Sequence, residues 1–336
     1  MSNHLTSLES SHFPVMLDEV LKISSLTNGG KVIDCTFGGG GYSREILKFS
    51  NTKVVAIDRD KKIISVAQKL QKKYPKRFKF NQIKFSQIDS ILDEYVDVII
   101  FDLGLSSIQL NDLDRGFSFS SNKRLNMTMG LNKFSALEVI NKLSEKNLKS
   151  IIRVFGEEKE AARIAKNIVK SRKLNKITNT EDLVKIIEKS KKKIFSKKIN
   201  PCTKTFQALR IFVNKEITEL IHGIISASKK LKPGGKIIVI SFHSIEDRIV
   251  KYFFSNFSQN TARPSRYLPE KMDTDKPLFN EYKNKVLRAS ENEIKHNNRS
   301  RSAKLRFAIR SSNKFNYPEN LIKKFRMYLD LEAINV

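Results

Sequence analysis

The chain has 336 residues and carries 63 Lys and Arg against 35 Asp and Glu, a formal charge of +28. It is long enough to bury one large core or two modest ones, and its field attracts polyanions, nucleic acid above all. Two cysteines, Cys35 and Cys202, and five scattered histidines exclude a disulfide scaffold and a zinc cluster, so no metal is expected. No apolar run approaches the ~20 residues of a spanning helix, and the polar N-terminus with Glu9 is unlike a secretory leader, so a cytoplasmic protein free of the membrane is expected.

The first predicted element is a short buried strand, Lys31-Val32-Ile33, which runs into Asp34 and then into Cys35-Thr36-Phe37-Gly38-Gly39-Gly40-Gly41-Tyr42 before a helix beginning at Ser43. Four successive glycines remove every Cβ where the backbone turns, so a ligand can lie against bare peptide. The dinucleotide fingerprint G-x-G-x-x-G fits poorly, because Ser43 stands where the third glycine belongs. The spacing acidic-x-x-x-G-x-G fits well on Asp34, Gly38 and Gly40. That is the nucleotide loop of S-adenosylmethionine (SAM) enzymes, whose ligand has no pyrophosphate and has a cationic end that an acid can approach. Alone, such a loop is also an ordinary strand-to-helix turn.

Lys53-Val54-Val55-Ala56-Ile57 reads as a second buried strand ending at Asp58, where a carboxylate can accept two hydrogen bonds from a ribose diol. Val96-Asp97-Val98-Ile99-Ile100-Phe101 is a later strand ending at Asp102-Leu103-Gly104. The strand pattern then stops. Helices are expected at 136–143, 145–155, 157–171 and 180–190, the third with Glu157 and Glu158 early and Arg163 and Lys166 late, as a helix dipole prefers. Asn179 or Thr180 caps the fourth. Loops this long are uncommon in compact domains, so 114–203 reads as a helical domain inserted between 1–113 and 204–336. The basic run Lys189-Ser190-Lys191-Lys192-Lys193-Ile194-Phe195-Ser196-Lys197-Lys198 near its end is either a solvated helix terminus or loop, or an RNA contact through Lys191, Lys192 and Lys193. Finally Leu231-Lys232-Pro233-Gly234-Gly235 leads into Lys236-Ile237-Ile238-Val239-Ile240, a turn and buried strand typical of the fifth strand of SAM-dependent methyltransferases.

Strands alternating with helices predict an α/β, doubly wound, mostly parallel sheet with its site at the strands' carboxyl ends. For any one of Asp34, Asp58 and Asp102 a capping role is the simpler account; three acids, each at such an end, point to function. Pro201-Cys202 matches the nucleophile of enzymes that methylate carbon 5 of cytosine. That nucleophile belongs just beyond the fourth strand, where this chain has Asp102-Leu103-Gly104-Leu105-Ser106-Ser107 and no cysteine.

These residues and their order resemble the bacterial 16S ribosomal RNA cytosine-N4 methyltransferases (the RsmH or MraW family) nearly end to end. The likeness is carried by His12-Phe13-Pro14-Val15-Met16-Leu17-Asp18-Glu19, the glycine loop, Ala56-Ile57-Asp58-Arg59-Asp60, Asp102 through Leu110, and Arg115-Gly116-Phe117-Ser118-Phe119. It continues in Gly156-Glu157-Glu158, Thr205-Phe206-Gln207-Ala208-Leu209-Arg210, Ser241-Phe242-His243-Ser244-Ile245-Glu246-Asp247-Arg248 and Arg301-Ser302-Ala303-Lys304-Leu305-Arg306. The resemblance implies a class I SAM-dependent methyltransferase fold with an inserted helical domain that helps hold RNA. The implied reaction is methylation of the N4 amine of one cytidine, position 1402 in rRNA numbering, in 16S ribosomal RNA of the small subunit or a late precursor. It also implies cofactor contacts at Gly40, Gly41, Tyr42, Asp58, Phe85, Asp102 and Gln109, beside the loop residues Asp34 and Gly38. Three places depart from the family's pattern: Tyr42 replaces histidine, Leu125-Asn126-Met127-Thr128-Met129 replaces Leu-Asp-Met-Arg-Met, and Asn298 replaces a proline.

For this chemistry, acceptors on the amine's N–H groups favour the pyramidal nitrogen needed for attack. Asp102, or a backbone carbonyl beside it, is the candidate acceptor. Phe117 and Phe119 are candidates to stack on a base, and Arg210 and Arg301 to contact RNA. His243 either takes the proton after transfer or makes a structural hydrogen bond. Two other classes stay open: a NAD-dependent oxidoreductase, disfavoured by Ser43 and the Pro233-Gly234-Gly235 turn, and an RNA-binding protein without catalysis, disfavoured by the intact Asp34, Gly40, Asp58 and Asp102.

Overall fold

The structure is a computed structural model that describes residues 14–91, 94–119, 121–191, 200–259, 276–280, 282 and 284–336. These fall into two compact units, one within Met1–Gly104 and Leu220–Lys324, the other within Leu105–Glu219 and Phe325–Val336.

The first unit is built on a six-stranded sheet: β1 (Gly30–Asp34), β2 (Thr52–Ile57), β3 (Phe78–Asn81), β4 (Val96–Asp102), β5 (Leu231–Ser241) and β6 (Lys304–Ile309). The order is β3-β2-β1-β4-β5-β6, parallel except for β6, which runs antiparallel to β5. The apolar runs read from sequence form its centre. Ile99, Ile100 and Phe101 of β4 and Ile237, Ile238, Val239 and Ile240 of β5 are fully buried, as expected for parallel strands covered on both faces. Each such side chain contributes about 1.5–3 kcal/mol of burial. Strand order reverses between β1 and β4, and Asp34 and Asp102 end those two strands. An open parallel sheet forms its ligand crevice at such a switch point.

The Pro233-Gly234-Gly235 segment is not a break before β5. It lies inside the strand, where Leu231 faces Val96 and Lys236 faces Val98. The surplus residues bulge out, and Gly234 takes the left-handed φ of 79° that the bulge requires. The first part of the chain also contributes α1 (Leu17–Ser24), α2 (Gly41–Ile46) and α3 (Ile64–Lys73).

The second unit is helical: α4 (Ser107–Asn111), α5 (Ala136–Lys142), α6 (Glu145–Gly156), α7 (Ala161–Leu174), α8 (Thr180–Ser190) and α9 (Thr203–Asn214). Its limits are wider than 114–203. Helix α9 belongs to it because α6 and α9 pack almost backbone to backbone: a Cβ on Gly156 would run into the Lys204 carbonyl, and Gln207 Nε2 donates to the Phe155 carbonyl at 3.0 Å. The chain's last residues join it as well, with Tyr328 stacked on Phe155 at 6.1 Å between ring centroids.

The helix expected at 157–171 begins later. Glu157 adopts a left-handed φ of 48° that ends α6, and Glu158 is buried with Oε2 2.7 Å from Lys191 Nζ. No acid remains in the first turn of α7, so the dipole reading of that pair fails. Asn179 is the cap of α8, its Oδ1 accepting from the Asp182 N–H at 2.8 Å. The chain continues through α10 (Glu216–Lys230), α11 (Ser244–Asn256), α12 (Glu291–His296) and α13 (Glu319–Glu332). Among the described residues no helix is long and apolar enough to cross a membrane.

Candidate active site

The carboxyl ends of β1, β2, β4 and β5 gather a set of acids and a bare loop. The loop is wound tightly. Gly40 N–H donates to the Phe37 carbonyl at 2.6 Å, and the Arg44 guanidinium donates to the Gly39 carbonyl at 2.7 Å. Gly40 has φ 75°, and a Cβ there would lie 2.7 Å from the Phe37 ring, which is itself wedged between Phe78 and Phe80. Only glycine satisfies both demands. A Cβ on Gly39, by contrast, would meet nothing within 4 Å. The peptide there faces open space, a cradle for a ligand.

Asp34 is fully buried behind this loop. Its Oδ2 accepts from Ser43 Oγ at 2.7 Å and its Oδ1 from the Thr36 N–H at 3.3 Å. Burial pushes its pKa up to about 6 against the pull of those bonds. Asp34 therefore acts on the loop rather than reaching a ligand directly. Ser43, which breaks the dinucleotide fingerprint, is the residue that ties the helix start to β1.

Asp58 holds the loop from the other side. Its Oδ2 accepts from the Gly38 N–H at 2.8 Å and its Oδ1 from the Asp60 N–H at 2.9 Å. Burial raises it to about 6. Each carboxylate oxygen still has a lone pair to offer. Phe85 meets Phe101 edge-on at 5.3 Å, and a Cβ on Gly223 would strike it. One side of the ring is thus seated while the side chain stays partly exposed.

Asp102 is the most unusual of the group. Its N–H donates to Thr36 Oγ1 at 2.8 Å, which fixes the strand tip, but its buried Oδ1 has no hydrogen-bond partner among the described residues. Burial, then the negative charges of Asp34 and Glu246, push its pKa up to about 8. An unpartnered buried carboxylate oxygen costs free energy that a cation or N–H donor would recover. Beyond β5, Glu246 Oε2 accepts from the N–H groups of Phe242 and His243 at 2.9 and 3.3 Å. His243 Nε2 stands 3.1 Å from Glu246 Oε1 but out of line for a hydrogen bond, and Nδ1 has no partner among the described residues.

Other expected contacts sit differently. The Tyr42 ring is buried and its hydroxyl donates to the Val15 carbonyl, so it pins the segment before α1 and has no hydroxyl proton left for a ligand. Burial, then Asp102 and Asp34, raise it well above the usual tyrosine range. Gly41 owes its lack of a side chain to Pro14, whose ring occupies that space.

In the helical unit, Gln109 is buried and its Oε1 accepts from the Ser106 N–H at 3.0 Å, closing a capping box on α4. Phe117 is buried under the Arg115 guanidinium, 5.6 Å from the ring centroid, and Phe119 packs edge-on against Phe206 at 6.0 Å. Arg210 is not an open phosphate contact: it forms a two-pronged pair with Glu216, both bonds 2.9 Å. Lys191 is paired with Glu158, while Lys192 and Lys193 lie outside the described residues. In the sheet unit, Arg301 is exposed. Asp247 is held by Arg306 and Lys304 at 2.7 and 3.0 Å, a structural pairing.

Sequence reasoning missed Thr36 as the link between β1 and Asp102, and Gly223 as the seat of Phe85. The first left no signal. The second left one, a lone glycine inside an apolar helical run.

A SAM-shaped ligand suits this arrangement. The Gly39 opening gives it bare backbone, Asp58 an acceptor for a diol, Phe85 a ring, and the unpartnered Asp102 oxygen a place for positive charge. Comparison with known proteins agrees. A profile of the MraW methylase family matches residues 9–311. The chain is 44% identical over 300 residues to ribosomal RNA small subunit methyltransferase H of Bartonella grahamii, covering 89% of this chain and 90% of that one. It is 43% identical to the protein of that name from Ehrlichia canis, covering 89% and 99%, and 44% identical to that from Rickettsia massiliae, covering 89% and 97%. With its strand order and switch-point acids, the sheet unit has the class I SAM-dependent methyltransferase fold, and the chain belongs to the MraW methylase family.

Proposed function

We propose that this protein methylates the exocyclic N4 amine of a single cytidine, position 1402 in rRNA numbering, in 16S ribosomal RNA, with S-adenosylmethionine as methyl donor. The substrate is the RNA within the small subunit or a late precursor, and the setting is the cytoplasm. The observation that carries this reading is the unpartnered, buried Asp102 oxygen at the sheet's switch point, beside a glycine loop that faces open space. When bound, the cofactor supplies a methyl group already activated on a sulfonium.

The chain's own residues do the rest. The backbone of Gly38, Gly39, Gly40 and Gly41 lies against the cofactor, Asp58 accepts from its ribose, and Phe85 flanks its adenine. Asp34, Gln109 and Tyr42 serve by holding backbone. Asp102 accepts an N–H of the target amine, which draws the nitrogen lone pair out of the ring and toward the methyl carbon. That lone pair would go to the bound cofactor's methyl carbon, and the carbon–sulfur bonding pair would stay with its sulfur. The displaced proton then goes to His243, braced by Glu246. Most of the rate comes from alignment and fixed electrostatics.

Helix α8 and the basic run after it contribute RNA contacts, and so do Phe119 in the helical unit and Arg301 in the sheet unit. Labelled methyl transfer from SAM to 16S RNA tests the reading, with mass spectrometry of 16S RNA from cells with and without the gene to locate the base. No transfer, or methyl on another base, would overturn it.

Two further results are expected. Asp58→Ala weakens SAM binding by about 1.5–3 kcal/mol, the loss of a charged hydrogen-bond partner, while the protein stays folded; calorimetric titration measures it, and unchanged affinity would remove Asp58 from the ribose. A Cys35→Ser, Cys202→Ser double variant keeps its activity. Both thiols are buried, which raises Cys35 well above the usual range and Cys202 to about 12, so neither is a ready thiolate. A folded, SAM-binding but inactive double variant would restore carbon-5 chemistry.

A further inference from the structure

The helical unit contains a cleft of about 480 Å³ whose lining residues have no part in the steps described above. Its size falls in the range of about 300–1,000 Å³ typical of small-ligand sites. One wall is the loop that precedes α5, where this chain departs from its family at Asn126 and Thr128.

That loop is held rigidly from behind. Asn214, fully buried on α9, donates Nδ2 to the Met127 carbonyl at 2.8 Å, and its Oδ1 accepts from the Met129 N–H at 2.8 Å and Asn132 Nδ2 at 3.0 Å. Arg115 donates to the Thr128 carbonyl at 2.7 Å. Met127 and Leu131, neither a glycine, are kept at φ 57° and 52°. Such left-handed conformations persist only where surrounding structure over-determines them, and they concentrate at binding sites.

The polar groups this loop presents to the cleft are unspent. Arg124 and Lys133 are exposed, and among the described residues neither makes a side-chain hydrogen bond or ion pair; the same holds for the Asn126 amide and the Thr128 hydroxyl. The lining carboxylate, Glu138, is already engaged by the Ser135 N–H and hydroxyl at 2.9 and 3.1 Å and by Lys142 at 3.5 Å. Leu131 stands 49% exposed at the rim. Two free cations, a free amide and hydroxyl, and an apolar face together match a phosphate, a base edge and a base face.

We propose that this cleft seats one nucleotide of single-stranded RNA other than the methylated cytidine. Its phosphate lies on Arg124 and Lys133, its base edge on Asn126 and Thr128, and its base face on Leu131. Single strands are favoured because their base edges and faces are open to side chains, which a duplex largely hides. This rests on ribosomal RNA being the substrate, and it adds the place where the helical unit grips a neighbouring nucleotide.

The test is binding of the full chain to a fluorescent single-stranded oligoribonucleotide containing the target cytidine, followed by anisotropy over a range of salt. Losing the contact to one phosphate of a single strand flattens the salt slope by about 0.7. The Arg124→Ala, Lys133→Ala double variant, which loses that one contact, should therefore show a slope shallower by about 0.7 and bind roughly ten- to hundredfold more weakly at low salt. SAM affinity should be unchanged. Asn126→Ala should keep the slope of the parent protein but lose preference among bases at one position of the oligonucleotide. A folded double variant with parental slope and affinity would overturn the proposal, as would a variant whose RNA and SAM binding fail together. If the parent protein transfers no methyl to 16S RNA, the methyltransferase reading fails, yet the salt slope still decides the cleft.

Discussion

Asp102→Asn is expected to lower the rate of methyl transfer at saturating SAM by about 10²–10³, the usual consequence of removing one preorganised electrostatic interaction. The substitution keeps the size of the side chain and one acceptor oxygen, and it leaves untouched the backbone bond from the Asp102 N–H to Thr36 Oγ1. The strand tip therefore stays in place, and the effect reports on charge alone. SAM affinity near neutral pH should change much less than the rate. The carboxyl is raised to about 8 by burial and by its neighbours Asp34 and Glu246, so in the free protein it is mostly neutral at pH 7, and the variant loses only the part of the affinity that comes from ionising it when the cofactor binds. Single-turnover rates and titration calorimetry on the same variant separate the two quantities. If affinity drops while the saturated rate recovers, Asp102 only holds the cofactor, and the amine is polarised by another group.

What the sequence revealed about this site follows from the range of the interactions involved. An apolar run that stops at an acid announces a strand end locally, and Asp34, Asp58 and Asp102 all stand where that pattern put them. The bounds of α8 were legible for the same reason, since Asn179 and the amphipathic spacing that follows it are both local signals. Partnerships formed across long separations were not legible. The Tyr42 hydroxyl meets the Val15 carbonyl, and Thr36 meets the Asp102 N–H, because of how strands and loops stack; no spacing in the chain encodes either contact.

Arg210 shows the same limit in another form. Its partner Glu216 is six positions away, a separation that brings side chains together only because Lys215 turns the chain at φ 50° between α9 and α10. A motif that supplies an arginine thus says nothing of whether its charge is spent inside the protein. The Pro233-Gly234-Gly235 bulge is the converse case: its residue types were correctly read as irregular backbone, but whether they end a strand or buckle it depends on the register with β4. Arg124 and Lys133 carried no motif at all. Their interest arises from what they fail to meet.

The pH dependence of the reaction should expose the same carboxyl. A carboxyl whose pKa is raised binds its proton more tightly than an ordinary one, so Asp102 becomes an acceptor only as pH climbs toward about 8. A cation beside it favours the ionised form, so SAM binding below that pH should release a proton. Affinity for SAM should then rise with pH, at a limit of about tenfold per unit while the free carboxyl remains protonated, and level off above about pH 8. In kcat/KM for SAM the ascending limb should fall near that value, because this ratio reports the free enzyme. In kcat it should lie at lower pH, because the bound cofactor's charge has already lowered the carboxyl's pKa. Calorimetry in buffers of different ionisation enthalpy counts the released proton directly. Asp102→Asn should abolish both the proton release and the ascending limb, whereas Asp58→Ala should weaken binding without flattening them. An unchanged pH profile in the Asn variant would assign the limb to another group, and the unpartnered oxygen of Asp102 would then need a partner other than the cofactor's positive charge.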